Sequence, residues 1–226
     1  MNARTRRLAA PFAALALTPA LLGGAAAVSI GVVASLLAPA PASAQARDAQ
    51  AEAFVTAQSQ RALNILNNRA LSQGQKAAQF RSFVDQAADV PRITNFVLGK
   101  YNRTITPAQR AQFTQVFREY ASNVYETRLD EYKGERFQVT GSQVRKAGSD
   151  VVVTSLVSGG QMRQPQTVRW RVIRGPAGWR VVDVEVLGVW LAITQQQDFV
   201  ATIDNAGGNI NALISQLRAQ TQARRG

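Results

Sequence analysis

Two side chains that most often carry enzymatic chemistry do not occur in this sequence: it has no histidine and no cysteine. Bases that titrate near neutrality, thiolate nucleophiles and the usual transition-metal ligands are therefore missing. Carboxylates, lysines, tyrosines and hydroxyls remain. The most suggestive pair is Asp183 and Glu185, one residue apart in an apolar run. With a tyrosine nearby, either could serve an isomerase or hydratase built on a cone-shaped α+β fold. That chemistry needs a carboxylate buried in a cavity with a raised pKa. In Val182-Asp183-Val184-Glu185-Val186, however, strand alternation turns both carboxylates away from the valines. The sequence therefore reads as a binding protein with no catalytic residue, metal site or cofactor.

The second chemistry is cationic. Lys and Arg number 26 against 14 Asp and Glu, a net charge of +12. Such a field favours anionic partners, whether phosphate headgroups, acidic protein faces or nucleic acid. Arg169 and Arg171 share one face of a strand, with Arg163, Arg174 and Arg180 near its turns. They offer a docking surface for acidic domains or anionic headgroups, or simply a solvated strand face. Tyr101 and Arg103 follow Gly99, where a loop could meet a headgroup or merely close a helix with a surface ion pair.

The amino end decides which anions are accessible. Arg4, Arg6 and Arg7 precede an Ala-rich apolar stretch from about Leu8 to Leu37, and Ala42-Ser43-Ala44 follows as a small-residue cleavage pattern. No acidic residue occurs before Asp48. This organisation reads as a signal peptide over residues 1–44 and a single α+β domain over 45–226, exported to the periplasm. An uncleaved anchor is the rival reading, since the stretch is long, but Pro11, Pro19, Gly23, Gly24 and Gly31 interrupt it. Thr5-Arg6-Arg7-Leu8 hints at the twin-arginine route without deciding between it and Sec. Without the three leader arginines, the charge of +12 falls to +9. Export argues against nucleic acid. It also means that a domain of about 180 residues, without disulfides, relies on its core alone.

Helical periodicity covers about Asp48 to Tyr132, strand alternation about Arg136 to Leu187, and helices return at the carboxyl end. The segregation predicts an α+β fold: a four-stranded or slightly larger antiparallel sheet with helices packed on one side around an apolar cavity. The first helix runs from about Ala49 to Leu66, with Phe54, Ala57, Leu63 and Leu66 on its apolar side. Ser72-Gln73-Gly74-Gln75 reads as a capping box ahead of Ala77, Phe80, Phe83 and Val84. Asp89 caps a short helix that Gly99 ends, and Thr106-Pro107-Ala108-Gln109 starts a long one reaching Tyr132 and Lys133-Gly134. Strands follow at about Phe137–Arg145, Val151–Val157, Gln166–Arg174 and Trp179–Leu187. Val151-Val152-Val153 is apolar on both faces and predicts a central strand. Helices near Thr194–Asp204 and Asn209–Ala219 close the chain around Gly207-Gly208.

In order and spacing, several of these residues resemble a known family. Asp89, Ile93, Leu98-Gly99, Tyr101 and Arg103 lead into a helix bearing Gln109, Phe113, Phe117, Tyr125, Leu129 and Tyr132. Gly134, Gly178-Trp179, Val182-Asp183-Val184 and Leu187-Gly188-Val189 then precede Phe199. The set is similar to the periplasmic lipid carriers of the Mla pathway, the toluene-tolerance family, from about Ala49 to Leu217. Trp190 departs from the family, where Ser is common, and so does Gln196, where Arg is common. The resemblance implies a cavity for phospholipid acyl chains. As partners it implies an inner-membrane ABC lipid transporter complex and an outer-membrane lipoprotein complex; a soluble carrier between them works best as a monomer. A hopanoid-associated branch of the same family, or an envelope module binding only protein, are the alternatives.

Physical chemistry fits a carrier. Exposing an acyl chain to water costs about 0.8 kcal/mol per methylene, on the order of 20 kcal/mol for two chains, so transport needs an enclosing pocket. The expected lining is the stripe Phe113, Phe117 and Tyr120 with the strand residues Val168, Trp170, Val172, Val182 and Val184, and Leu187, Val189 and Leu191 nearby. The alternative is that the same residues simply pack on one another as an ordinary core.

Overall fold

Five strands follow one another in space as they do in sequence. The computed structural model describes residues 46–129, 134–160 and 162–223. In it β1 (Glu135–Lys146), β2 (Asp150–Gly159), β3 (Gln166–Gly175), β4 (Gly178–Val186) and the two-residue β5 (Val189–Trp190) form an antiparallel meander. The expected leader over 1–44, and Tyr132 and Lys133 at the end of the long helix, lie outside the described residues.

Alternation sets the two faces of this sheet. Trp170 pairs with Val153 and Val172 with Val151 on one face, while Arg169 and Arg171 pair with Glu185 and Asp183 on the other. A bulge at Arg171/Val172 shifts the last part of the register, so Val172 faces Val181 rather than Val182. Val181 accordingly packs on the sheet core, with Val151, Val153, Val172 and Trp179.

Helix α1 (Ala49–Asn67) covers that valine face. Asp48 caps it, accepting the Ala51 N–H at 2.9 Å. The buried side is Ala51, Val55 and Ser59, spaced by four residues, while Phe54 is half-buried and Ala57 is exposed. The expected stripe was thus rotated, because small Ala51 and branched Val55 let the helix lie close to the valines. Helix α2 (Gln73–Ala87) starts at the expected capping box, with both reciprocal bonds formed. It packs against α1 and touches the long helix α4, burying Ala77 but leaving Phe80, Phe83 and Val84 only half-buried.

The remaining helices form a second core. Asp89 caps α3 (Val90–Val97) through the Arg92 N–H at 3.1 Å, and a 3-10 turn spans Gly99–Arg103. Thr106 and Gln109 bond reciprocally at the start of α4 (Pro107–Leu129), as the motif predicts. With α5 (Leu191–Asn205) and α6 (Ile210–Ala223) these helices bury Leu98, Phe113, Phe117, Phe199, Ile203 and Leu213. Phe113 and Phe117 stack, and each meets Phe199 edge-on at 5.8 Å. Gly99, at φ +53°, is required here: a Cβ would lie 2.7 Å from Val200 Cγ2.

The helical core joins the sheet along β4. Ala88 forms a parallel bridge with Val181, and the Asp89 N–H donates to the Val181 carbonyl at 2.9 Å. Helices α3 and α5 both pack on this strand.

Candidate functional site

The long-helix stripe and the sheet face, expected to share one lining, belong to different cores. Phe113, Phe117 and Tyr120 pack on Phe199 among the helices. Val172 and Trp170 pack under α1, with Trp170 edge-on to Phe137 and its indole N–H donating to Ser155 Oγ at 2.9 Å. Val168 is buried on the same face of the sheet, and Val184 is half-buried. Val182 is buried but displaced from Val172 by the bulge. Leu191 is half-buried at the start of α5. Leu187 and Val189 stand outside both cores, at the β4–β5 turn, 69% and 39% exposed. Periodicity identifies the apolar side of α4 but not the neighbour that covers it, and α5 and α6 offered as good a partner as the sheet.

The polar face of the sheet carries a groove of about 920 Å³, lined by Thr154, Arg163, Thr167, Arg169, Glu185 and Leu187 among others. Its centre is an ion pair. Arg169 Nε donates to Glu185 Oε1 at 2.9 Å, and a second guanidinium nitrogen donates to the same oxygen. Glu185 is only 5% exposed, and its Oε2 finds no hydrogen-bond partner among the described residues. The Arg169 guanidinium also lies 5.9 Å from the Trp190 ring centroid. Arg171 is engaged as well, donating to Asp150 Oδ1 at 3.2 Å and Oδ2 at 2.8 Å. The two arginines expected as a docking surface are therefore largely occupied within the sheet, whereas Arg163 is exposed at the groove.

The expected headgroup loop is likewise tied down. Tyr101 donates its hydroxyl to Asp204 at the end of α5, and Lys100 Nζ lies 2.7 Å from the same carboxylate. The hydrogen bonds from Lys100 and Tyr101 hold the Asp204 carboxyl below the usual range, and the bond to Asp204 raises the Tyr101 hydroxyl. Arg103 is exposed at the end of the 3-10 turn.

Asp183 was expected to point away from the valines, and its pairing with Arg171 agrees. Sequence did not reveal that it is buried, 8% exposed. Burial pushes its carboxyl above the ordinary aspartate value, opposed by backbone N–H groups of Ala192 and Val184 and by the Arg171 charge. Both N–H groups bond Oδ1 at 2.8 Å, so this carboxylate serves as a cap for α5. It meets the burial criterion set for a catalytic acid, but its contacts are those of a structural anchor. Ser155 was also missed. Buried on the valine face, it donates to the Val168 carbonyl at 3.0 Å, and its only signal was a hydroxyl at an inward position of an apolar strand.

Among the described residues no group of three or more acidic side chains is placed to hold a metal ion, and no helix is long and apolar enough to cross a membrane.

Comparison with known families decides the relationship: residues 41–219 match the family described as MlaC protein. This chain belongs to the MlaC family. Its fold is similar to that of a phospholipid-binding protein from Ralstonia solanacearum, solved in complex with a phospholipid. The TM-score is 0.70 at 25% sequence identity, covering 79% of this chain and 100% of that one. The α+β architecture, with an open antiparallel sheet and helices along β4, is thus that of the MlaC family. Residues that carried the resemblance have physical reasons here: Leu98 is fully buried, Gly99 makes room for Val200, and Asp183 caps α5.

Proposed function

We propose that this MlaC-family chain is a non-catalytic periplasmic carrier that encloses phospholipid acyl chains. In this reading it exchanges its cargo between an outer-membrane lipoprotein complex and an inner-membrane ABC lipid transporter complex. Residues 1–44 are the leader removed on export, and 45–226 the single lipid-binding domain. The observation that carries the reading is the match, over 79% of this chain and all of the other, to a protein solved with a phospholipid.

The route inferred for acyl chains lies between the two apolar cores. Helix α2 packs against α1, which covers the sheet core, and touches α4 of the helical core. Phe80, Phe83 and Val84 of α2 are only half-buried, so its apolar side is weakly committed to either core. In this reading acyl chains enter between the two cores, meeting Phe117 and Tyr120 on the helical side and Val168, Trp170 and Val172 on the sheet side. Acyl chains inserted there replace one apolar surface by another. Loading is then close to balanced, as a shuttle requires.

The test is transfer of a fluorescent phospholipid from donor to acceptor vesicles. Mature protein should accelerate transfer in proportion to its concentration, while an unchanged rate contradicts the carrier reading.

A further inference from the structure

The β4–β5 turn breaks a local rule. Val186 pairs with Val189, and the two residues between them, Leu187 and Gly188, have φ +52° and +82°. Two-residue turns with positive φ at both positions favour Asn-Gly, because few side chains tolerate the left-handed region at the first position. Leucine is poorly suited there: its Cβ crowds the following carbonyl oxygen. It is the only non-glycine residue with positive φ among those described. Nor does burial offset the strain, since Leu187 is 69% exposed. Strain and an exposed apolar side chain at one residue, with no gain for folding, mark a position shaped by function.

The surroundings indicate what it meets. Leu187 lines the groove that holds Arg163 and Arg169. Arg169 is committed to Glu185, but Arg163 is exposed and makes no ion pair among the described residues. Val189, beside the tip, is also partly exposed. An apolar point next to an exposed guanidinium, on a domain whose charge is still +9 without the three leader arginines, complements an anionic bilayer surface. The aliphatic side chain enters the acyl boundary, and the cation pairs with phosphates.

We propose that the β4–β5 tip is a contact element for an anionic phospholipid surface, with Leu187 as its apolar point and Arg163 as its cation. The choice of a lipid surface rests on the carrier reading.

Leu187→Asn separates this role from folding, since Asn accepts the left-handed conformation. Its unfolding midpoint should equal or exceed that of wild type, and Leu187→Gly supplies a second variant with the same freedom. The measurement is cosedimentation of mature protein with phosphatidylcholine vesicles, with and without phosphatidylglycerol. Wild type should bind the anionic vesicles, less well as salt is added. The lipid concentration for half-binding should rise about tenfold in Leu187→Asn, the loss of one partly inserted leucine, and rise also in Arg163→Gln. Phospholipid recovered per mole of protein should be unchanged in these variants. A wild type that ignores anionic vesicles, or a Leu187→Asn variant that binds them equally well, overturns the proposal and leaves the tip to a protein partner. Wild type without recoverable phospholipid would instead overturn the carrier reading.

Discussion

Asp183 Oδ1, on β4, accepts the backbone N–H of Ala192 in the first turn of α5 at 2.8 Å. The residue at the N-cap position of α5 is Trp190, which makes no side-chain cap bond, so the cap is borrowed from Asp183, seven residues upstream of it. Because α5 carries Phe199 and Ile203 into the helical core, this bond holds that core to the sheet. Asp183→Ala should lower unfolding free energy by about 1–2 kcal/mol. Asp183→Asn, which keeps an acceptor at Oδ1, should lose less. Denaturant titration of the three proteins measures both.

The same carboxyl gives a pH dependence of defined sign. Burial raises it above its ordinary 3.8, so the folded protein binds this proton more tightly than the unfolded chain does. The stability it contributes is complete below 3.8 and is lost as pH rises through the raised folded value. The stability of wild type relative to Asp183→Asn should therefore fall across that window as pH increases. Denaturation of both proteins at a series of acidic pH values reads the difference directly.

Arg169 and Glu185 should respond unequally to mutation. Arg169 keeps 44% of its side chain exposed while Glu185 keeps 7%. Arg169→Gln strands a buried carboxylate and should cost about 1–3 kcal/mol. Glu185→Gln leaves a guanidinium that water can reach and should cost less. Equal losses in thermal unfolding would argue that the pair is more solvated than its geometry indicates.

Gly99→Ala combines two penalties, a left-handed backbone and a methyl group 2.7 Å from Val200 Cγ2. A loss of about 1–3 kcal/mol is expected. Adding Val200→Ala should recover part of it by removing the clash, which a double-mutant cycle would detect.

Local signals are legible in the chain because their physics is local. The caps at Ser72, Asp89 and Thr106 each bond within three residues, so spacing alone identified them. The alternation of Arg169 and Arg171 with Val168, Trp170 and Val172 placed both sides of β3. What escaped depends on contacts distant in sequence or on a single backbone irregularity. The cap from Asp183 to Ala192 crosses from strand to helix, and the bulge that aligns Val181 with Val172 leaves no compositional trace. The separation of Phe117 from Trp170 into different cores was hidden for the same reason: an apolar stripe does not name its partner. Leu187, expected beside the pocket lining at the end of the fourth strand, instead sits in a two-residue turn that lifts it into solvent.

Native mass spectrometry of the mature protein, isolated from periplasm without detergent, tests the central claim most directly. The account predicts a one-to-one adduct that, once released, resolves as a diacyl phospholipid. A clean apo mass, in a protein that also takes up no phospholipid from vesicles, would contradict it.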